Sequence, residues 1–238
     1  MNEKITILHT NDFHSHFENW PKVRRYLQST KKDLESQGQT VITVDLGDAM
    51  DRVHPLTEAT DGKFNIDLLN TVGYDALTIG NNEGIGNSHE QLEELYTKSK
   101  APVILDNLID LRTKKRPSWV KASKIIKTKN NTKVGLLACT APFGPTYEMN
   151  DWQALDVDRV LPEMVKMLRP RVDILVLMSH LGIDMDRYIS EKYSEFDVIL
   201  GSHTHHLLEN GEVDGNTLVC AAGKWGQYIG QVSLSFST

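Results

Sequence analysis

Cysteine is scarce, basic charge is in deficit, and no long hydrophobic run occurs anywhere in the chain. Cys139 and Cys220 are the 2 cysteines among 238 residues. They lie far apart, each within an apolar run, so the expectation is two buried free thiols in a reducing compartment. No window approaches the roughly 18 apolar residues that a membrane-crossing helix needs. Met1-Asn2-Glu3-Lys4 runs straight into Ile5-Thr6-Ile7-Leu8, with no basic region and no long apolar stretch after it. A secretory signal is therefore not expected in this chain, and the expected location is cytoplasmic, with no membrane partner. Lys and Arg total 26 against 32 Asp and Glu, a formal net charge of −6, which argues against nucleic acid as a partner. The basic cluster Lys114-Lys115-Arg116, followed by Lys121, Lys124, Lys127 and Lys129, reads as a solvated hairpin and its approach. Low-complexity segments and internal repeats are lacking too.

What is present is 39% hydrophobic sequence arranged in short apolar runs that alternate with amphipathic stretches. That alternation marks a layered α/β domain, and the length supports one sizeable core. Strands are expected at Ile5–His9, Thr40–Leu46, Ala76–Ile79 and Val103–Leu105. A hairpin is expected from Ala122–Thr128 and Lys133–Cys139, turning on Asn130-Asn131, residues that tolerate positive φ. Further strands are expected at Ile174–Met178, Val198–Leu200, Leu218–Ala221 and Gln231–Phe236. Helices are expected at Pro21–Ser36 with Asn19 as cap, and at Phe64–Val72, His89–Ser99, Val157–Leu168 and Asp186–Tyr193. Short connections between the last four strands predict mixed sheets, and no linker divides the chain, so residues 1–238 read as one domain.

The chemistry is concentrated where these strands end. After the first strand comes Thr10-Asn11-Asp12-Phe13-His14, after the second Gly47-Asp48, and after the third Gly80-Asn81-Asn82-Glu83. Ile174–Met178 runs into Ser179-His180, and Val198–Leu200 into Gly201-Ser202-His203-Thr204-His205. Taken singly, Asp12 or Asp48 is a turn former, Asn81 a left-handed turn residue, and any one His an ordinary polar side chain. Five strands in order all delivering Asp, His or Asn at their C-terminal ends is a different matter, because that edge is where open α/β sheets build ligand sites. Two divalent ions about 3.5–4 Å apart can hold both oxygens of a displacement at phosphorus. Ions that close need an anionic bridge, supplied by an aspartate, while neutral imidazoles and an amide oxygen complete the ligand sets. His203 and His205, on alternate positions, can serve two neighbouring ions. The mixed N/O donors favour Mn, Zn, Co, Fe or Ni over Mg or Ca.

These motifs resemble the calcineurin-like metallophosphoesterases. The opening Leu8-His9-Thr10-Asn11-Asp12-Phe13-His14-Ser15-His16 resembles, more narrowly, their 5′-nucleotidase/2′,3′-cyclic phosphodiesterase branch. The resemblance runs through the whole chain and implies a four-layer α/β/β/α sandwich of two mixed sheets. It implies that Asp12, His14, Asp48 and His205 hold one metal, and that Asp48, Asn81, His180 and His203 hold the other. Asp48 and Asn82 are the expected catalytic residues, with Asn81 and Asn82 facing the substrate.

Two departures stand out. The family motif Gly-Asn-His-Glu reads Gly80-Asn81-Asn82-Glu83 here, and the position of the acid that pairs with its His falls at Ile85. Asn82 cannot donate a proton to a leaving alkoxide, though it can hydrogen-bond a phosphoryl oxygen. The family also continues into a C-terminal nucleoside-binding domain, and this chain carries none before Thr238. The implied function is a dimetal-dependent phosphoester hydrolase using a metal-activated hydroxide on small-molecule phosphate esters, nucleotides or anhydrides. The alternatives are a catalytically weakened metal- and nucleotide-binding regulatory module and a nucleic-acid phosphodiesterase. His16, His54, His89 and His206 are alternative proton donors. Trp20, Trp119, Trp152 and Trp225 are read as packing residues, and Pro142–Tyr147 as a loop.

Overall fold

The computed structural model describes residues 3–236. Its strands, in chain order, are β1 (Glu3–Thr10), β2 (Thr40–Asp45), β3 (Ala76–Leu77), β4 (Val103–Ile104), β5 (Leu108–Asp110), β6 (Val120–Lys121) and β7 (Lys124–Lys127). They continue with β8 (Lys133–Thr140), β9 (Trp152–Ala154), β10 (Ile174–His180), β11 (Val198–Gly201), β12 (Glu212–Asp214), β13 (Thr217–Ala221) and β14 (Gly230–Phe236). One six-stranded sheet has the order β14-β1-β2-β3-β4-β6, a second the order β12-β13-β11-β10-β8-β7, and β5 pairs with β9 alone. Both large sheets are mixed. β1 runs parallel to β2 but antiparallel to β14, and β10 runs parallel to β8 and β11 while β7 closes an antiparallel hairpin with β8.

Side-chain alternation stacks these sheets. Ile5, Ile7, Ile42, Val44 and Ala76 of the first sheet meet Leu136, Ala138, Val176, Met178 and Leu200 of the second in a dry inner core. The opposite faces pack helices. Leu8, Val41, Leu77 and Val103 meet Val23 and Leu27 of α1 (Trp20–Ser36), Ile66 and Leu69 further on, and Leu92 and Leu95. On the far side Leu137, Leu175, Leu177 and Ile199 meet Met164, Val165 and Leu168, with Ile189 beside them. The result is the expected four-layer α/β/β/α sandwich.

The other helices are α2 (Pro55–Ala59), α3 (Lys63–Leu69), α4 (Asn81–Gly86), α5 (His89–Thr97), α6 (Gly144–Glu148), α7 (Leu161–Leu168) and α8 (Ile183–Lys192). Ser88 caps α5 by accepting from Gln91 N–H, while the Gln91 side chain accepts from Ser88 N–H, a reciprocal capping box. The Asn130-Asn131 turn takes the expected positive φ at Asn131, 71°. Two expectations need correction. Asn19 stands at the N-cap position of α1 but makes no side-chain cap bond, and its amide donates to the Trp225 carbonyl at 2.9 Å. Val157–Leu168 is a 3₁₀ turn over Val157–Arg159 followed by α7, whose Pro162 sits in the first turn where its missing N–H costs nothing. Both cysteines are buried and free. No helix among the described residues is long and apolar enough to cross a membrane.

Candidate metal centre

The C-terminal ends of the parallel strands in the two sheets converge on one edge of the sandwich. Leu46, just past β2, accepts the Nδ1 hydrogen of His180 at the end of β10, at 2.8 Å, which ties the sheets together there. Two groups of side chains form at this seam. Asp12, His14 and His205 converge in one, and Asp48, His180 and His203 in the other. The structure therefore brings together six of the seven expected ligands in two triads. Asn81, the seventh, opens α4 directly after Gly80.

The chain pays conformationally to hold these groups. Asp12, His14, Asp48, His203 and His205 all have φ between 48° and 74°, a region L-residues avoid. Such strain persists only where surroundings over-determine it, and it gathers at functional sites. The surroundings here are hydrogen bonds between the ligand loops: Asp12 N–H to Gly47 O at 3.0 Å, and His14 N–H to Asp48 O at 2.9 Å. His203 N–H, in turn, donates to the Asp12 carboxylate at 3.1 Å.

Electrostatically the centre is short of positive charge. Asp12 is buried, which opposes its ionisation, yet the imidazoles of His14 and His205 close beside it hold its carboxyl far below the usual range. Burial likewise disfavours the His180 imidazolium, but the Asp48 carboxylate lifts its pKa to about 10. Carboxylates that draw protons onto a fully buried imidazole supply the field a bound cation needs.

Divalent ions fit these donors on three observations. His180 Nε2 and Asn81 Oδ1 are buried and lack any hydrogen-bond partner among the described residues. His14 Nε2 and His205 Nε2 point at each other across 3.1 Å, with Asp12 Oδ1 3.4 Å from His205 Nε2 and 3.7 Å from His14 Nε2. Because His180 gives its Nδ1 hydrogen to the Leu46 carbonyl, Nε2 is the nitrogen free to ligate once a cation displaces the proton that Asp48 holds there.

Glu83 is the residue whose role the sequence left unread. Its fully buried carboxylate accepts from Gly80 N–H at 2.7 Å, Asp48 N–H at 2.9 Å and Met50 N–H at 3.1 Å. It thereby clamps the Asp48 turn to the start of α4. Burial first, then the nearby Asp48 charge, pushes its pKa up to about 7. The signal was available: an N3 glutamate returning to the N-cap N–H is half of a capping box. Ser202, whose hydroxyl lies 3.0 Å from His180 Nδ1, and Asn11, which donates to Asp12 Oδ2 at 2.8 Å, carried no motif of their own.

Other sequence candidates separate clearly. Asn82 lies at the centre, its amide 2.9 Å from Asp48 Oδ2 and 3.2 Å from His14 Nδ1. Ile85 packs against the apolar core. His89 is elsewhere, stacked on Trp152 at 4.1 Å and 3.2 Å from Asp110. His54 caps α2, His206 meets Thr204, and His16 lies against Trp225. The Pro142–Tyr147 stretch, read as a loop, contains the start of α6. It reaches the centre through Phe143, whose exposed ring lies 5.7 Å from His203. Trp20 and Trp152 are core residues.

Comparison with known proteins adds independent observations. Residues 5–207 match the family model described as calcineurin-like phosphoesterase. The uncharacterized metallophosphoesterase YunD of Bacillus subtilis (strain 168) is 44% identical over 235 residues, covering 99% of this chain and 51% of that protein. The trifunctional nucleotide phosphoesterase protein YfkN of the same organism is 24% identical over 98% of this chain and 18% of its own length. The structure of the NAD nucleotidase NadN of Haemophilus influenzae superposes with a TM-score of 0.85 at 19% identity, over 99% of this chain and 48% of that one. The chain thus spans about half the length of the first of these relatives.

Proposed function

The chain belongs to the calcineurin-like phosphoesterase family, and from that membership we propose that it is a dimetal-dependent phosphoester hydrolase acting on nucleotides or related small phosphate esters and anhydrides. The observation that carries this reading is the pairing of two side-chain triads at one sheet edge, with the buried His180 Nε2 and Asn81 Oδ1 left without hydrogen-bond partners among the described residues. Asp12, His14 and His205 would hold one ion, and Asn81, His180 and His203 the other, with Asp48 between them. Ions there would supply Lewis-acid polarisation of a phosphoryl oxygen and activation of a water as nucleophile. Relatives named as nucleotide phosphoesterase and 5′-nucleotidase support nucleotides as the substrate class.

The chain's own residues do the rest. Glu83 fixes the Asp48 turn, so the carboxylate is aimed before substrate arrives. Asn82 presents an amide at the centre, placed to donate a hydrogen bond to a phosphoryl oxygen and to orient the ester. It has no proton to give to a departing alkoxide, so the reading favours stable leaving groups, as in aryl esters and anhydrides. Residues 1–238 are, on this reading, the catalytic unit.

The test is phosphate release from 4-nitrophenyl phosphate and from nucleotides with added Mn²⁺, with Asp48→Ala as control. Turnover abolished by Asp48→Ala is expected. Nucleotide binding by calorimetry with no turnover above that control would instead establish the regulatory-module alternative.

A further inference from the structure

We propose that Lys224 is a specificity-determining residue that binds a second anionic group of the substrate, selecting molecules with two linked phosphates over simple monoesters. The inference rests on the hydrolase reading and concerns a side chain outside both ligand triads.

The turn around Lys224 is bolted to the Asp12 half of the centre. Gly223 N–H donates to the His206 carbonyl at 2.8 Å, and the Gly223 carbonyl accepts from Asn11 Nδ2 at 2.7 Å. Trp225 N–H donates to the Asp12 carbonyl at 2.7 Å, and the Trp225 carbonyl accepts from Asn19 Nδ2 at 2.9 Å. These bonds reach both loops that carry the first triad. They hold Trp225 at φ 64°, a conformation a bulky residue takes only under constraint.

What the constraint achieves is placement of a cation. The half-buried Trp225 ring has His16 against it at 4.6 Å and the Lys224 ammonium 3.9 Å from its centroid. At that distance the indole quadrupole attracts the ammonium and restrains a stem that would otherwise be free. The Lys224 ammonium forms no ion pair and no hydrogen bond with any described residue. Arg52, near Asp48 in sequence, is by contrast fully spent on Glu58, Asp61 and Asn87. A π face leaves ammonium hydrogens unmatched, and a phosphate oxygen accepts them in a charge-assisted bond.

The geometry also matches the missing proton donor. Because the Asn82 amide has no proton to give, a monoester must expel an unprotonated alkoxide, whereas an anhydride expels a phosphate. In that step a water oxygen bonds to the attacked phosphorus and the bridging P–O bond breaks. The departing phosphate keeps the bonding pair, and the released proton passes to solvent. Charge grows on the departing phosphate, where an ammonium stabilises it more in the transition state than in the ground state.

Lys224→Ala and Lys224→Arg decide the matter in two assays. Calorimetry with methylenediphosphonate, against methylphosphonate as control, reads binding without turnover. ADP and 4-nitrophenyl phosphate, with Mn²⁺, read specificity. Lys224→Ala is expected to weaken diphosphonate binding and lower kcat/KM for ADP by about tenfold, with the aryl monoester within about twofold and Lys224→Arg restoring most of the loss. Unchanged diphosphonate binding, or equal losses on both substrates, overturns the role of Lys224 and leaves the hydrolase reading standing. If wild type turns over neither substrate, the hydrolase reading is what fails, and the diphosphonate arm still decides whether Lys224 binds a second phosphate.

Discussion

Asn82 holds both oxygens of the Asp48 carboxylate: its main-chain N–H donates to Oδ1 at 2.8 Å and its side-chain amide to Oδ2 at 2.9 Å. The same amide nitrogen lies 3.2 Å from His14 Nδ1, so Asn82 stands between the two triads. An imidazole in that place could transfer a proton as well as donate a hydrogen bond. Asn82→His is therefore expected to raise kcat/KM for AMP, an alkyl ester, by about tenfold, within the usual range for general acid help. The gain on 4-nitrophenyl phosphate should be much smaller, because nitrophenolate leaves without protonation. Equal gains on the two substrates would contradict the leaving-group argument.

Gly80 is required by space as much as by backbone. A Cβ built there would lie 2.0 Å from Asp48 Oδ1 and 2.5 Å from His180 Nε2. A Cβ at Gly47, which has φ 90°, would lie 2.3 Å from Gly80 N, so the two glycines let the β2 and β3 turns touch. Gly80→Ala should leave secondary structure by circular dichroism close to wild type while lowering metal affinity by about tenfold or more. An overpacked site commonly costs about 1–3 kcal/mol. Unaltered Mn²⁺ affinity in that variant would mean that the cradle is not where the metals bind.

Legibility in the sequence followed the strength of each physical signal. β1, β8 and β10 are long, buried on both faces and rich in Ile, Val and Leu, so their runs announced them. β3 and β4 keep two residues each and were visible mainly by their neighbours. The five-strand pattern led to Asp12, His14, Asp48, His180, His203 and His205 because each follows or ends such a run. α4 was marked only by the N3 position of Glu83: Asn81-Asn82-Glu83-Gly84-Ile85-Gly86 has poor helix propensity, and Glu83 accepting from Gly80 N–H holds it. The Trp225 contacts were unreadable for another reason. Asp12 and Trp225 are joined by a main-chain bond that no side-chain pattern encodes.

Metal stoichiometry should separate the ligands. Asp48 lies between the triads, with its Oδ2 3.3 Å from His180 Nε2 and 3.8 Å from His14 Nε2, whereas His205 touches only the Asp12 group. Wild type is expected to bind two Mn²⁺ per chain, His205→Ala one, and Asp48→Ala none with useful affinity. Chelation should lower the Tm of wild type, since ions that bind only the folded chain stabilise it by mass action. The Tm of Asp48→Ala should then be insensitive to chelator. Retention of two ions by Asp48→Ala would remove the bridge from the proposal.

Asp106 offers a stability prediction away from the centre. Its carboxylate accepts from Ala138 N–H at 3.1 Å through Oδ2, while Oδ1 is buried without a hydrogen bond, 3.6 Å from Arg116. Burial pushes its pKa up to about 7, because the hydrogen bond from Ala138 and the charge of Arg116 do not offset desolvation. A carboxyl whose folded pKa lies above its unfolded value of 3.8 stabilises fully below that value, and this contribution is lost as pH rises through about 7. Wild-type stability should therefore fall between about pH 4 and pH 7 through this group, by about 1.4 kcal/mol per pKa unit of offset. Asp106→Asn keeps an acceptor for Ala138 N–H and cannot ionise. In chelated protein, urea unfolding at pH 5 and pH 8 should show a smaller loss of stability for the variant than for wild type. An identical pH dependence in the two proteins would mean that Asp106 is already ionised at pH 5, with Arg116 outweighing its burial.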